Sequence, residues 1–108
     1  MLVFLTGAIV IAAYYFMNVP SPLGNGPSFT LYYWNSCGHC KAMMPAWNSL
    51  GSSVIGVTIR KVERAFINNE YNVNGFPTIV FRDGKGGVEE YRGGRDRNSL
   101  IDFLISRG

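Results

Sequence analysis

The stretch Phe29-Thr-Leu-Tyr-Tyr-Trp34-Asn-Ser-Cys37-Gly-His-Cys40-Lys41 decides how this chain folds. Its first six residues are apolar or aromatic except for Thr30, the pattern of a buried strand. Asn35 to His39 then has to turn. From Cys40 to Leu50 the residues suit a helix, with Ala42, Met43, Ala46, Trp47 and Leu50 roughly on one face. A buried strand thus delivers two cysteines to the start of a helix.

That position has a chemical consequence. Cys37 falls at the helix N-terminus, where unpaired N–H groups and the helix dipole stabilise a thiolate. Cys40, one turn further in, is within disulfide reach and more shielded. The thiolate is the nucleophile, and such positions lower a cysteine pKa from about 8.5 to roughly 3.5–7.5. His39 adds an imidazole that stabilises the thiolate and disfavours the disulfide. The expected potential is nearer roughly −180 mV than roughly −270 mV, an oxidising centre. Two blander readings compete. One is half of a zinc site, but zinc needs four ligands and this chain offers two cysteines and one histidine. A structural disulfide would close only a four-residue loop and gain little chain-entropy stabilisation. No metal and no cofactor beyond the Cys37–Cys40 pair is expected.

Downstream, Val54 to Val62 reads as a second buried strand, Ala65 to Tyr71 as a short helix and Thr78 to Arg82 as a third strand. Asp83-Gly-Lys-Gly-Gly87 is a strong hairpin turn into a fourth strand, Val88 to Arg92. Arg97 to Ser106 closes as an amphipathic helix with Leu100, Ile101, Phe103, Leu104 and Ile105 on its apolar face. The order β-α-β-(α)-β-β-α implies a small mixed α/β sheet with helices packed on it.

Upstream, Pro20 to Ser28 holds three prolines and two glycines and reads as a spacer. Of Met1 to Val19, sixteen residues are apolar, and the first side-chain charge in the chain is Lys41. As a helix those nineteen residues span about 28 Å at roughly 1.5 Å per residue, close to a bilayer's hydrocarbon thickness of roughly 30 Å. Tyr14, Tyr15 and Asn18 suit the membrane interface at its downstream end. Residues 1–19 therefore read as a membrane anchor in contact with lipid. A cleaved signal peptide competes, but the basic start and a clean cleavage site are missing. A buried core helix is disfavoured because the apolar residues go all round. The division is 1–19 anchor, 20–28 linker and 29–108 globular domain, a monomer. The net charge of +3 does not imply nucleic acid, because Arg60, Lys61, Arg64, Arg82, Arg92, Arg95, Arg97 and Arg107 are interleaved with acids.

The body resembles the thioredoxin superfamily, most closely a single catalytic domain of the protein disulfide isomerase type. Cys37-Gly38-His39-Cys40-Lys41 is similar to that family's active-site run, and Pro45 stands where the family kinks the following helix. Tyr71-Asn-Val-Asn-Gly75-Phe76-Pro77-Thr78 is similar to its Tyr-Gly-Val-x-Gly-x-Pro-Thr segment, and Tyr91 to Arg95 to its penultimate segment. The resemblance implies a minimal thioredoxin-like fold with a central mixed four-stranded sheet, lacking the usual first strand and helix. It implies that Cys37 attacks a substrate disulfide and that Cys40 resolves the mixed disulfide. A cis Phe76–Pro77 bond would pack against the cysteines, with Gly75 and Phe76 pairing with substrate backbone and Pro77 excluding metals. Gly38, His39 and Arg95 would tune the centre.

Two departures stand out. The family's buried carboxylate, six residues before the nucleophilic cysteine, is Leu31 here, and its partner lysine persists as Lys61. Lys61 should then reach outward or pair with Glu63 or Glu70. Asn35 and Ser36 precede Cys37 where the family often has a tryptophan, which weakens the apolar platform there. The leading reading is an enzyme, a membrane-tethered thiol–disulfide oxidoreductase acting on polypeptide thiols and disulfides. Its compartment would be oxidising, the endoplasmic reticulum lumen or alternatively a periplasm. The alternative is a redox-inefficient, chaperone-like polypeptide-binding module. A membrane-bound subunit presenting cysteines to a metal or cluster is a third.

Overall fold

The computed structural model describes residues 26–107. The expectations of an anchor at 1–19, of a linker over most of 20–28 and of no first strand and helix fall on residues outside that range. Among the described residues no helix is long and apolar enough to cross a membrane.

Five strands and two helices follow in order: β1 Ser28–Tyr33, α1 Gly38–Asn48, β2 Ser53–Val54, β3 Val57–Glu63, β4 Thr78–Arg82, β5 Val88–Tyr91 and α2 Arg97–Arg107. One sheet runs β2-β3-β1-β4-β5. β1 lies at its centre, parallel to β3 with Leu31 opposite Lys61, and antiparallel to β4 with Leu31 opposite Ile79. Ser28 to Tyr32 are all buried, as a central strand covered on both faces requires.

The expected four strands are five. Val54 to Val62 is not one strand, because Ile55 and Gly56 take φ of 43° and 79° and turn the chain into a β2–β3 hairpin. Two consecutive left-handed residues make the tight turn whose twist matches antiparallel strands. The helix expected over Ala65–Tyr71 shrinks to a 3-10 turn at Arg64–Phe66. Asn68 and Asn69 follow at φ of 50° and 62°, conformations that end any right-handed helix. The Asp83–Gly87 turn forms as expected, with the Asp83 carboxylate accepting from the N–H groups of Lys85 and Gly87.

Both helices pack on one sheet face. Phe29, Leu31, Ile79 and Phe81 point to it and meet Met43 and Trp47 of α1 and Leu100 and Leu104 of α2. Phe29 joins the layers: its ring lies 5.1 Å from Trp47, 5.5 Å from Phe103 and 5.7 Å from Tyr91. Ala42 and Ile105, placed on apolar faces by spacing, are exposed. Ile105 lies about 140° round the helix from Leu100 at about 100° per residue, away from the sheet.

The opposite face is polar where the chain crosses it between β3 and β4. Tyr32 donates a 2.7 Å hydrogen bond to the Glu70 carboxylate, and Arg60 pairs with that carboxylate at 3.0 Å. Arg82 donates to the Tyr32 hydroxyl and to the Glu70 carbonyl at 2.9 and 3.2 Å. Tyr71 stacks on Tyr32. These bonds hold the segment that leads into Phe76 and Pro77.

Candidate active site

β1 ends at Tyr33, one residue earlier than its apolar run, and Trp34 begins the turn. The Trp34 carbonyl accepts from the Cys37 N–H at 2.9 Å, closing the turn and setting Cys37 as the N-cap of α1. In that role the Cys37 sulfur accepts from the Cys40 N–H at 3.3 Å, one of the four amides a helix start leaves unpaired. The cysteines therefore differ. Cys37 is half-exposed, whereas Cys40 is buried.

The two thiols are pushed apart. The side-chain hydrogen bond from Cys40 is the main influence lowering Cys37 below the usual thiol range. Partial burial opposes it, and the N–H groups of Cys40 and His39 and the Arg95 charge add to the lowering. Burial, chiefly, pushes Cys40 up to about 11, with the bond to Cys37 contributing.

The Phe76–Pro77 peptide is cis. It brings the Phe76 carbonyl to 3.6 Å from the Cys37 sulfur, whose S–H donates to it. The Gly75 carbonyl accepts from the Thr78 hydroxyl at 2.6 Å, so it is engaged within the chain. A Cβ at Gly38 or Gly75 would meet nothing within 4 Å, so neither glycine is required by packing. The His39 ring is exposed in the first turn of α1. Arg95 also is exposed, and its charge acts on both sulfurs. Pro45 stands inside α1, on the solvent side.

Lys61 pairs with neither Glu63 nor Glu70. Its ammonium donates to the Asn48 side chain at 2.9 Å, at the C-terminal end of α1. Glu70 is taken by Arg60 and Tyr32, and Glu63 accepts from the backbone N–H groups of Asn35 and Ala65 at 3.2 and 2.8 Å. Leu31 lies fully buried in the apolar core, opposite Lys61 in register. The main influences on the Cys40 thiol are burial, Cys37, the Trp34 backbone and the Arg95 charge, none of them a carboxylate.

Two residues near the cysteines escaped the sequence reading. Trp34 exposes 39% of its surface, with its ring centre 6.4 Å from that of Phe76. The Arg64 guanidinium lies 4.9 Å above the Trp34 ring. An exposed aromatic surface is thus present, supplied by Trp34 upstream of Asn35 and Ser36. A cavity of about 250 Å³ beside it is lined by Tyr33, Trp34, Asn35, Cys40, Lys41 and Met44. The usable signal was the aromatic at the end of the strand; nothing local pairs Arg64 with a residue thirty positions earlier.

Comparison with known proteins agrees with this geometry. The thioredoxin family model matches residues 22–106. Protein disulfide-isomerase tigA of Aspergillus niger is 36% identical over 89 residues, covering 75% of this chain and 25% of that protein. Protein disulfide-isomerase like 2-2 of Arabidopsis thaliana is 33% identical over 88 residues, covering 77% of this chain and 20% of that protein. The chain therefore spans a quarter or less of these relatives. Among solved structures, a J-Trx1 fragment of ERdj5 superposes with a TM-score of 0.67 at 22% identity, covering 78% of this chain and 44% of that one. The first thioredoxin domain of mouse protein disulfide-isomerase A4 gives 0.59 at 22% identity, covering 74% and 61%. The fold, the half-exposed and buried cysteine pair and the matched family model lead to one conclusion: the chain belongs to the thioredoxin family.

Proposed function

We propose that the chain is a thiol–disulfide oxidoreductase acting on polypeptides, with Cys37 as nucleophile and Cys40 as resolving thiol. The observation that carries this reading is the opposite setting of two sulfurs one helical turn apart, Cys37 lowered and half-exposed, Cys40 raised and buried. In the reductive direction the Cys37 thiolate attacks one sulfur of a substrate disulfide. A Cys37–substrate disulfide forms, and the other substrate sulfur leaves as thiolate. Cys40, deprotonated, then attacks the Cys37 sulfur, releases the second substrate thiolate and leaves the Cys37–Cys40 disulfide. Two electrons pass to the substrate, and the reverse sequence oxidises a dithiol. No further cofactor takes part. Pro77 and the Phe76 backbone border the sulfur that reacts, His39 and Arg95 favour its anion, and Gly38 and Gly75 leave room beside it.

Residues 1–19 would tether the domain to a membrane through the 20–28 linker, with residues 29–108 in an oxidising compartment. The disulfide isomerase relatives favour the endoplasmic reticulum lumen, with a periplasm as alternative. The buried Leu31 and the Lys61–Asn48 bond favour a second reading, a chaperone-like binding module with slow redox turnover. Cys40→Ala separates the two. An oxidoreductase lacking its resolving thiol accumulates substrates disulfide-linked to Cys37, visible on a non-reducing gel and abolished by Cys37→Ser. Substrate binding with no trapped adduct would favour the module.

A further inference from the structure

The charged groups around Cys37 are unevenly disposed. The Arg64 guanidinium lies over the exposed Trp34 ring, and among the described residues it makes no ion pair. Lys41 lines the cavity against Trp34, and the Arg95 charge reaches both sulfurs. Apart from Glu63, the acids stand elsewhere. Glu70 is bound to Arg60, Glu89 to Arg107 and Glu90 to Arg92. Asp83 closes the far hairpin, Asp96 caps the start of α2 by accepting from Ser99, and Asp102 lies on α2. Glu63 is the carboxylate beside Arg64, and both its oxygens accept backbone N–H groups, of Asn35 and Ala65.

The result is a shelf next to the reacting sulfur. Its floor is the Trp34 ring, continued by Phe76. Trp34 lines two cavities: Arg64, with Glu63 and Ala65, borders one, and Lys41 borders the other. A guanidinium stacked on an aromatic face keeps its N–H edge free for a carboxylate, and the ring holds the fork in place. The shelf adjoins the turn that carries Cys37, whose N–H donates to the Trp34 carbonyl at 2.9 Å.

We propose that Trp34, Arg64 and Lys41 form a subsite for acidic polypeptide, so that the preferred substrates carry Asp or Glu within a few residues of the reacting cysteine. This rests on the oxidoreductase reading and names the substrate class for it.

The test uses the full chain carrying Cys40→Ala in an uncharged detergent. The rate of mixed-disulfide formation is measured with two peptides whose single cysteine is activated as the same aryl disulfide, one flanked by glutamates and one by lysines. Hydroxyethyl disulfide serves as an uncharged reference. The acidic peptide should react roughly three- to tenfold faster than the basic one at low salt, and the ratio should approach one at high salt. Arg64→Gln should reduce that ratio. Lys85→Gln removes the same charge at the opposite end of the sheet and should leave the ratio as it is. Alkylation of Cys37 against pH in Arg64→Gln distinguishes a lost contact from a changed thiolate, and the contact requires an unchanged midpoint. Equal rates for the two peptides, or an Arg64→Gln ratio like the parent's, would overturn the proposal while hydroxyethyl disulfide still reacts. No reaction with hydroxyethyl disulfide would overturn the oxidoreductase reading, and this one with it.

Discussion

Cys37 and Cys40 share one helix turn and meet opposite physics. Cys37 caps the helix and gathers N–H groups around its sulfur, whereas Cys40 is buried and its thiol is held up by that burial. In the reduced chain, iodoacetamide should therefore alkylate Cys37 through the neutral range and leave Cys40 unmodified until the pH nears about 11, as site-resolved mass spectrometry can read. Arg95→Gln should move the Cys37 midpoint upward, because it removes a charge that favours the anion. Leu31 bears on the second step. The thioredoxin resemblance assigns this position a carboxylate that takes the second cysteine's proton, so Leu31→Glu should speed the decay of a Cys37 mixed disulfide at neutral pH. An unchanged decay rate would remove the missing carboxylate as a reason for slow turnover. At this scale the C-x-x-C spacing alone made the cysteines legible. The bond of Lys61 to Asn48 was not, since it depends on how α1 ends over β3.

Among the elements, the β2–β3 hairpin departs furthest from its sequence pattern. Val54-Ile-Gly-Val57 reads as continuous strand because every residue but glycine is β-branched, yet the chain reverses there. Ile55 bears the cost: a β-branched side chain at φ 43° crowds its own backbone, and 60% of its surface faces solvent. Ile55→Asn should therefore stabilise the domain by about 1 kcal/mol, shifting the urea midpoint upward at constant slope, because Asn-Gly is preferred in this turn. α1 and α2 were easier to read. Their buried residues recur at helical spacing, and only residues at the margins of the stripe, Ala42 and Ile105, fall on the wrong side.

On the scale of the molecule, the sheet separates an apolar face, which carries both helices, from a polar one that fixes the approach to Pro77. Glu70 is the centre of the second. Burial works to raise its carboxyl, but the bonds from Arg60 and Tyr32 and the Arg82 charge outweigh it and hold it below the ordinary value. A carboxyl depressed in the folded state contributes stability that is complete above its unfolded pKa of about 4.3. That contribution is lost as pH falls through the folded value. Urea midpoints should thus fall from about pH 5 downward, and Glu70→Gln should flatten the profile. At neutral pH the same variant should lose roughly 1–3 kcal/mol, since it leaves Arg60 half-buried without its counter-charge.

The sequence by itself determined the buried strand before the cysteines, the cysteine pair at a helix start, the far hairpin and both helices. Each is encoded within about fifteen consecutive residues by hydrophobic period, turn chemistry or spacing. Tertiary structure alone decided that Glu70 belongs to Arg60 and Tyr32, that Arg64 covers Trp34, and that Lys61 goes to Asn48. Those choices pair residues 10, 13, 30 and 38 positions apart. A charge selects among several nearby partners by register and by which face of the sheet it leaves, and neither is set until β3 has docked beside β1.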